Sequence, residues 1–592
     1  MSSTPANGIR KIIAASSLGT LIEWYDFYIF GSLATVISSQ FFPKGNPTAA
    51  LLSTLATFAA GFIVRPFGAL VFGRLGDMIG RKYTFLLTLI IMGGSTFAIG
   101  LVPKYDSIGF AAPLIVLLLR LLQGLALGGE YGGAATYVAE HSPEHRRGYF
   151  TSWIQTTATV GLLVSLGVIL LVRHLLDADP ARSIEKFNDW GWRIPFLISI
   201  LLVIVSIYIR LRMSESPLFK QLQTEGKTSK NPLKESFGHK DNLKMVLLAL
   251  FGATMGQGVV FYTGQFYAQA FLENICHIDF DQSKTILILA ILLGTPFFLV
   301  FGGWSDKIGR KWIMIAGMAL SVATYPFLFK QMLSLSDTAG HTEVPAAKEI
   351  RNNVAFIGKT RNVLRSTATI HHFEDGFVLT ETKKDTLYAA GNTSLKPIME
   401  VSKSFGTADY WKIVAIIFIM VVYVTMVYGP IAAFLVELFP TRIRYTSMSL
   451  PYHIGNGVFG GLTPFIAVLL STMVHSSSLT GLWYPMLIIG LCLVIGAIYI
   501  QGSRLIDVIK RALGVVWMLL GPVALFFLVK TALSEIARNP APSTKVQWST
   551  FVIIFIPIAV GLVIFGYYAL TGEYTAEEGR TLSSGAPDIT ID

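Results

Sequence analysis

The chain has 592 residues, of which 53% are hydrophobic and only 14% are charged. Soluble globular proteins carry about 25% charged residues, so the composition excludes a water-soluble globular protein and indicates a chain solvated by lipid. The net charge of +11 does not indicate nucleic-acid binding, because the basic residues lie in short turns between apolar segments and form no patch with interleaved aromatic residues.

Long apolar segments follow one another along the whole chain. Crossing the hydrocarbon core of a bilayer takes about 20 apolar residues, and in lipid the backbone groups of such a segment must bond to one another, which requires a helix. Segments of this size, numbered here as spans 1 to 14, lie at 12–38, 50–73, 83–103, 111–138, 149–173, 192–212, 245–271, 284–304, 312–333, 411–437, 447–472, 482–501, 513–531 and 550–570. The sequence therefore predicts an all-α polytopic membrane protein with twelve spans and two extra C-terminal transmembrane helices.

Basic residues concentrate in the loops on one side of these spans. The loops after spans 2, 4, 6, 8, 10 and 12 carry many Lys and Arg residues, whereas the short loops between them carry few. The positive-inside rule predicts that this basic side faces the cytoplasm. An even number of spans then puts both termini in the cytoplasm, and we expect the protein in the plasma (inner) membrane.

A short turn between spans 2 and 3 recurs between spans 8 and 9. Both turns have Gly, then Asp four residues later, then Gly-Arg-Lys, and every match is 229 residues apart. The matching residues are Gly73, Asp77, Gly80 and Arg81 in the first turn and Gly302, Asp306, Gly309 and Arg310 in the second. We expect each Asp to accept N–H groups at a neighbouring helix N-terminus and the two Arg residues to pair across two homologous halves. The turns would then form a cytoplasmic gate that latches the outward-open state. The alternative is a signal that only sets the membrane topology, which would explain the basic residues but not the Gly and Asp residues.

A second repeat locates an insertion. Glu140 with Arg147 seven residues later matches Glu437 with Arg444, but these copies lie 297 residues apart, so the second half contains 68 additional residues. The long polar stretch before Glu437 is about 334–409. Its weak apolar alternation fits an extracytoplasmic β-rich lobe or a disordered loop, and it could hold a protein partner.

The repeats divide the chain into four regions. The N-terminal six-helix half covers 1–212, and the C-terminal six-helix half with its insertion covers 244–502. A Lys-rich cytoplasmic linker at 213–243 joins them. Residues 503–592 hold the two additional spans and a cytoplasmic tail.

Two carboxylates in span 1 predict a proton-binding site. Glu23 and Asp26 are three residues apart and share a helix face. Burial and a like-charged neighbour both disfavour the charged form of a carboxyl group, so this pair is suited to take up a proton. The alternative is that an Arg on another helix neutralises one carboxylate permanently. Glu130 in span 4 is the third candidate for proton coupling.

Other polar residues within the spans are candidates for substrate binding, because ionisable groups in a membrane cost about 2.5–3.5 kcal/mol and normally face a cavity or a partner. Arg120 and Gln123 are neighbours in span 4, and Arg120 is placed to bind an anionic substrate or Asp26. Arg65 in span 2, directly before Pro66, is another candidate partner but ranks lower, because it lies nearer the cytoplasmic end and can snorkel. The remaining candidates are Tyr28, Gln257, Tyr262, Gln265, Tyr452 and Asn456, with Tyr267 and His453 beside them. For each of these the alternative is a hydrogen bond between helices.

The sequence carries no enzyme motif. It contains no Gly-x-Ser-x-Gly, no phosphate-binding Gly-x-x-x-x-Gly-Lys-[Ser/Thr], and no His or Cys cluster at metal-ligand spacing. We therefore expect no enzymatic activity, no cofactor or metal, and no ATP drive within this chain. The expected partners are a small metabolite, protons and membrane lipid.

The twin Gly-x-x-x-Asp-x-x-Gly-Arg-Lys turns resemble the signature loops of the major facilitator superfamily. Further stretches resemble its metabolite:proton symporter family: Gly-Thr-Leu-Ile-Glu-Trp-Tyr-Asp-Phe-Tyr at 19–28, Arg-Pro-Phe-Gly at 65–68, Arg-Leu-Leu-Gln-Gly at 120–124 with Gly-Gly-Glu at 128–130, Gly-Trp-Arg-Ile-Pro-Phe at 191–196 and Glu-Ser-Pro-Leu-Phe at 215–219. The resemblance covers about 12–330 and 411–501.

This resemblance implies a major facilitator fold, in which two rocking halves give alternating access. It also implies proton-driven uptake of an organic acid or zwitterionic osmolyte, such as citrate, 2-oxoglutarate, shikimate, proline or betaine. The insertion and the two extra spans lie outside the resemblance. The alternatives are therefore a transporter-like membrane sensor that anchors a partner, or an uncoupled facilitator or exporter of the same fold.

Overall fold

The computed structural model describes residues 6–42, 47–79, 81–129, 131–212, 224–225, 231–356, 363–387, 398–439, 443–473, 477–500, 507–538 and 542–574. Helices lie at all fourteen predicted spans. Spans 1 to 6 comprise Ala6–Ser32 with Ala34–Phe41, Pro47–Ile63 with Arg65–Ile79, Arg81–Leu101, Ala111–Gly128 with Tyr131–His141, Arg147–Leu175, and Arg193–Arg212. Short helices at Tyr105–Ile108, Pro180–Lys186 and Pro232–Phe237 lie between spans, the last of them in the predicted linker.

Spans 7 to 14 follow in the same way. They comprise Lys240–Ala249 continued by Leu250–Thr254, Met255–Tyr262, Thr263–Tyr267 and Ala268–Asn274; Phe280–Gly294 with Phe297–Ile308; Arg310–Leu335; Thr407–Tyr428 with Ile431–Leu438; Arg444–His453 continued by Ile454–Gly460 and Thr463–Met473; Trp483–Tyr499; Asp507–Arg538; and Pro542–Leu570. In the described residues ten helices are long and apolar enough to cross a membrane, or eleven if the bent pair Arg182–Gly191 and Arg193–Tyr208 counts as one span. The predicted polytopic helical membrane protein is confirmed.

The two halves are bundles that meet along a seam. Span 1 packs on spans 5 and 6, and span 7 packs on spans 10, 11 and 12, whereas span 2 meets span 11 and span 5 meets span 8 across the seam. Small residues permit the closest approaches. A Cβ at Gly124 would lie 1.7 Å from the Gly61 carbonyl oxygen, so spans 2 and 4 pack backbone against backbone, as small residues in membrane helices allow.

Spans 7 and 11, which line the seam, are not regular α-helices. Span 7 contains the π-helical segments Leu250–Thr254 and Thr263–Tyr267, and span 11 contains Ile454–Gly460. Such turns are rare and concentrate at functional sites. The irregular parts of the C-terminal half therefore indicate where a site between the halves should be sought.

The insertion folds as a four-stranded antiparallel sheet, with its strands in chain order: β1 (Glu349–Phe356), β2 (Val363–His372), β3 (Val378–Leu387) and β4 (Ile398–Ser404). Thr369 of β2 lies opposite Ile350 of β1 and Glu381 of β3. Strand β4 also pairs with the loop between spans 7 and 8, where the Lys403 N–H donates to the His277 carbonyl at 2.8 Å. Of the two predicted alternatives, a β-rich lobe and a disordered loop, the described residues of the insertion form the β-rich lobe.

The two added helices form a hairpin that packs on the C-terminal half. Phe565 of span 14 contacts Phe251 of span 7 and Tyr499 of span 12, with ring centroids 5.8 and 5.3 Å apart. Trp517 Nε1 of span 13 donates to the Tyr499 hydroxyl at 3.1 Å. The hairpin therefore rests on the first turns of span 7, next to the π-helical segment there.

We expect Glu573→Lys to loosen this hairpin, because a third positive charge would then face the two lysines at the start of span 7. One Glu573 oxygen pairs with Lys240, and the other lies 3.7 Å from Lys244 Nζ. The apparent melting temperature in detergent should fall by a few degrees. Adding Lys240→Glu reverses the pair and should recover most of the loss. A loss that this double variant leaves unchanged would contradict a role for the contact.

Candidate functional site

Arg65 lies completely buried between the two halves. Pro66 removes a backbone donor, and span 2 breaks into two helices just before Arg65. The guanidinium Cζ lies 5.0, 4.6 and 4.2 Å from the ring centroids of Trp24, Phe27 and Phe62. Aromatic faces stabilise a cation in this way. Of the two alternatives for Arg65, snorkelling to the surface does not occur, because the break in span 2 and these rings hold the side chain inside.

The Arg65 guanidinium has no acidic partner among the described residues. None of its three nitrogens makes a well-formed hydrogen bond there, although the Tyr262 hydroxyl lies beside it. Tyr28, Tyr428, His453 and Arg120 are further electrostatic neighbours. Since buried charges are normally paired, this cation is suited to bind an anion.

Two tyrosines predicted to bind substrate, Tyr28 and Tyr262, lie beside this guanidinium, and a third, Tyr452, bonds to their neighbour Tyr428. The Tyr28 ring stacks on Trp24 at 4.9 Å, and the Tyr262 ring meets Phe62 at 4.9 Å. Tyr452 shares a hydrogen bond of 2.6 Å with the Tyr428 hydroxyl and stacks on another tyrosine from span 4. Spans 1, 2, 4, 7, 10 and 11 thus contribute side chains to one site, which belongs to both halves.

Arg120 and Gln123 lie inside the N-terminal half. Arg120 Nη1 donates to Gln123 Oε1 at 2.7 Å and to the Phe27 carbonyl at 3.2 Å, and Gln123 Nε2 donates to Thr96 Oγ1 at 2.6 Å. The expected pairing of Arg120 with Asp26 does not occur. Amide, hydroxyl and carbonyl groups hold these two side chains, which favours a role in joining spans 1, 3 and 4.

Asp26 lies on the face of span 1 that meets spans 3 and 6. Its Oδ2 is 3.4 Å from the position of a Cβ at Gly93, and neither carboxylate oxygen has a hydrogen-bond partner in the described structure. Asp26 and Glu23 are both buried. No described Arg neutralises Asp26, which was the alternative to proton binding.

The predicted amides mostly satisfy one another. Gln257 of span 7 and Asn456 of span 11 exchange two hydrogen bonds, of 3.1 and 2.8 Å. Gln265 Nε2 donates to Thr159 Oγ1 of span 5 at 3.4 Å, across the seam. In this conformation the amides therefore make the helix–helix contacts that were the alternative to substrate binding.

The structure does not describe every predicted site residue. Glu130 and Gly80 lie outside the described residues. Asp77 and Arg81 belong to described helices, but only their backbone is described. Gly73 lies at the seam, where its Cβ would be 3.2 Å from the ring of Tyr445 in span 11.

The second signature turn joins the halves on the basic side. Asp306 accepts the N–H groups of Gly148 and Tyr149, at 2.8 and 2.9 Å, at the start of span 5. Gly302 packs tightly against span 5, and Gly309 has φ of +95°, a conformation that glycine adopts readily. The prediction that Asp306 accepts N–H groups at a neighbouring helix N-terminus is confirmed.

Arg310 pairs within its own half, with Nη2 3.0 Å from Glu437 Oε1. The expectation that Arg310 pairs across the halves is therefore wrong. At this end of the seam, two described ion pairs that cross it come from the second repeat, with Arg147 3.6 Å from Glu437 and Arg444 3.8 Å from Glu140. Each Glu meets the Arg of the other half, as two-fold related halves require.

The opposite end of the seam is closed as well. Arg173 of span 5 lies 2.8 Å from Asp281 of span 8, and the Thr35 hydroxyl of span 1 donates to Glu273 of span 7 at 3.2 Å. The cavity beside Glu273 measures about 20 Å³, which is room for about one water molecule. Described contacts therefore join the two halves at both ends of the seam.

Comparison with known proteins identifies the family. The model of the family described as "Sugar (and other) transporter" matches residues 11–250, and a family of unknown function matches 506–576, which covers the C-terminal hairpin. The inner membrane metabolite transport protein YhjE of Escherichia coli (strain K12) is 31% identical over 474 residues, which cover 79% of this chain and 89% of that protein. The chain belongs to this transporter family of the major facilitator superfamily.

Other relatives bear the names of different substrates. The proline/betaine transporter of Escherichia coli (strain K12) is 36% identical over 328 residues, 54% of this chain and 64% of that protein, so the chain spans just under two thirds of its length. The alpha-ketoglutarate permease of the same organism is 35% identical over 328 residues, 55% of this chain and 73% of that protein.

Solved structures show the same fold. The xylose transporter XylE from E. coli in a partially occluded inward-open conformation matches with a TM-score of 0.55 at 16% identity, over 84% of this chain and 98% of that chain. The major facilitator fold predicted from the twin turns is confirmed.

Proposed function

We propose that this family member is a secondary active transporter that carries a small organic anion in symport with protons. The observation that carries the proposal is the buried Arg65 guanidinium, which lies between the halves with no described acid beside it. A guanidinium can bind a carboxylate through two parallel hydrogen bonds. The closed contacts at both ends of the seam support alternating access, in which the halves rock about this site.

The site favours an organic acid over a zwitterionic osmolyte. The ammonium of a zwitterion needs a carboxylate or an open aromatic face. Arg65 already covers the faces of Trp24, Phe27 and Phe62, and no carboxylate stands beside it in the described residues. A binding assay with 2-oxoglutarate, proline and glycine betaine tests this preference for an organic acid. Tighter binding of proline or betaine than of 2-oxoglutarate would contradict it.

Asp26 is the proposed proton carrier, with Glu23 and Glu130 as its predicted partners in coupling. Asp26→Asn keeps the size of the side chain but cannot release a proton. We expect this variant to lose uptake driven by an inside-alkaline pH gradient in proteoliposomes and to keep exchange of labelled substrate at equal pH. Equal loss of both activities would indicate a structural role. If no solute accumulates in the unmodified protein, the symport proposal itself fails.

We further propose that the basic side faces the cytoplasm of a bacterial inner membrane, with both termini inside. The basic loops support this orientation through the positive-inside rule. An alkaline phosphatase, which is active only outside the cytoplasm, should be active when inserted into the chain between β1 and β2 and inactive when fused to the C-terminus. The opposite pattern would reverse the orientation.

A further inference from the structure

His453 of span 11 is buried beside Arg65 and has no hydrogen-bond partner among the described residues. Its side chain is 1% exposed, and neither Nδ1 nor Nε2 is bonded. It ends the helix Arg444–His453, directly before the π-helical segment Ile454–Gly460. Buried polar groups are nearly always bonded, so an unbonded imidazole at an irregular helix turn points to a ligand.

Aromatic rings fix the position of this imidazole. The Tyr131 and Tyr452 rings stand perpendicular to it, with centroids 6.4 and 5.3 Å away. Among the described charged groups, Arg65 is the one that acts on the imidazole. A Cβ at Gly457, one helical turn after His453, would lie 3.7 Å from Arg65 Cδ. Two basic groups, one from each half, therefore face one site across the seam.

We propose that His453 is the second ligand of the transported anion and binds it as an imidazolium, so that one proton enters the site together with the substrate. The inference rests on the proposed function, in which Arg65 is the first ligand. In the empty site the Arg65 cation opposes a second positive charge, and the imidazole stays neutral. A bound dicarboxylate removes this opposition, because one carboxylate neutralises Arg65 and the other favours protonation of His453.

The charges of the substrate and its two proposed ligands then balance, because Arg65 and protonated His453 carry two positive charges and a dicarboxylate carries two negative charges. Arg120, the other buried arginine near Arg65, stays bonded to Gln123 and the Phe27 carbonyl in this arrangement. With a neutral imidazole, one carboxylate would have no charged ligand. Moving an uncompensated charge through the membrane interior is costly, so the halves would rock most readily when substrate and proton are both bound. Contacts of one substrate with a group from each half would also draw the halves together, which links binding to closure.

Proton uptake on binding tests this directly. We expect the full-length protein in weakly buffered detergent solution near pH 7.5 to take up about one proton for each 2-oxoglutarate bound, as read from a pH indicator. His453→Gln is polar but cannot be protonated in this range, so the uptake should vanish. Its affinity for 2-oxoglutarate should fall at least about tenfold at pH 6, and this loss should shrink as the pH rises, because the unmodified protein takes up a proton with each substrate and His453→Gln does not. The matched control is His239→Gln, at an exposed histidine outside the site.

The Asp26→Asn variant separates the two proton sites, because it should keep the proton uptake that accompanies substrate binding. If it loses this uptake while His453→Gln keeps it, the proton belongs to Asp26 and the inference is overturned. Thermal unfolding shows which of His453→Gln and His453→Asn is folded, and proton uptake by either folded variant also overturns the inference. Failure of the unmodified protein to bind 2-oxoglutarate would instead overturn the proposed preference for an organic acid.

Discussion

Arg65→Gln is expected to weaken binding of 2-oxoglutarate by about 100-fold or more and to abolish its uptake. A hydrogen bond to a charged group contributes about 1.5–3 kcal/mol, a guanidinium makes two such bonds to one carboxylate, and 1.4 kcal/mol is a factor of ten in affinity. Equilibrium binding of labelled 2-oxoglutarate measures the loss. Arg65→Lys keeps the charge but not the paired donors, so it should fall between the unmodified protein and Arg65→Gln.

Arg120→Gln is the matched comparison, since Arg120 is also a buried arginine of the N-terminal half. Its bonds to Gln123 and the Phe27 carbonyl predict a loss of thermal stability with a smaller loss of affinity. The opposite result, in which Arg120→Gln loses the affinity and Arg65→Gln keeps it, would favour Arg120 as the anion ligand and refute the site described here.

Asp306→Asn is expected to open the basic end of the seam. Asp306 accepts two N–H groups of span 5 from across the seam and lies 2.6 Å from Arg310 Nη1. Asn has one acceptor oxygen and no charge, so the closed arrangement should lose about 2 kcal/mol, roughly a 30-fold change in the equilibrium between closed and open forms. Spin labels at Glu144→Cys and Lys307→Cys, both exposed on opposite sides of the seam, should show a new population at longer distance.

Asp279→Asn is the control, because it removes the charge of a helix-capping Asp whose capping hydrogen bonds lie within one half. Asp279 accepts the N–H groups of Asp281 and Gln282 at the start of span 8, entirely within the C-terminal half. This variant should lose some stability without changing the distance between the labels. If Asp306→Asn also leaves the distance unchanged, Asp306 is an ordinary helix cap and the signature turn is not a latch.

Features that depend on residue spacing along the chain could be predicted from the sequence. Segment length and polarity predicted the helices, because backbone groups in lipid have no other partners. The constant offset between the twin turns predicted two halves, and its change at Glu437 located the insertion. The hydrogen bonds of Asp306 were also predicted correctly, since a carboxylate near the end of one helix is suited to accept the free N–H groups at the start of a neighbouring helix.

Assignments that depend on which face of a helix meets which neighbour could not be predicted. Arg65 and Arg120 are both arginines in apolar spans, and only the packed structure shows that one meets the seam and the other donates to Gln123 and the Phe27 carbonyl within one half. Gln257 and Asn456 are 199 residues apart and bond to each other. The spacing of the repeats allowed Arg310 to pair across the seam, but in the packed structure its guanidinium pairs with Glu437 of its own half.

By itself the sequence determined the membrane-spanning class, the duplication, the place of the insertion and the family resemblance, because each follows from local composition or from a repeat in the chain. The tertiary structure decided that the insertion is a sheet over its described residues and that Arg65 is a buried cation between the halves with no acidic partner among the described residues. It also placed His453 beside Arg65. These facts depend on helices that are far apart in the chain, and the pairing of a buried charge is a property of all the helices that surround it.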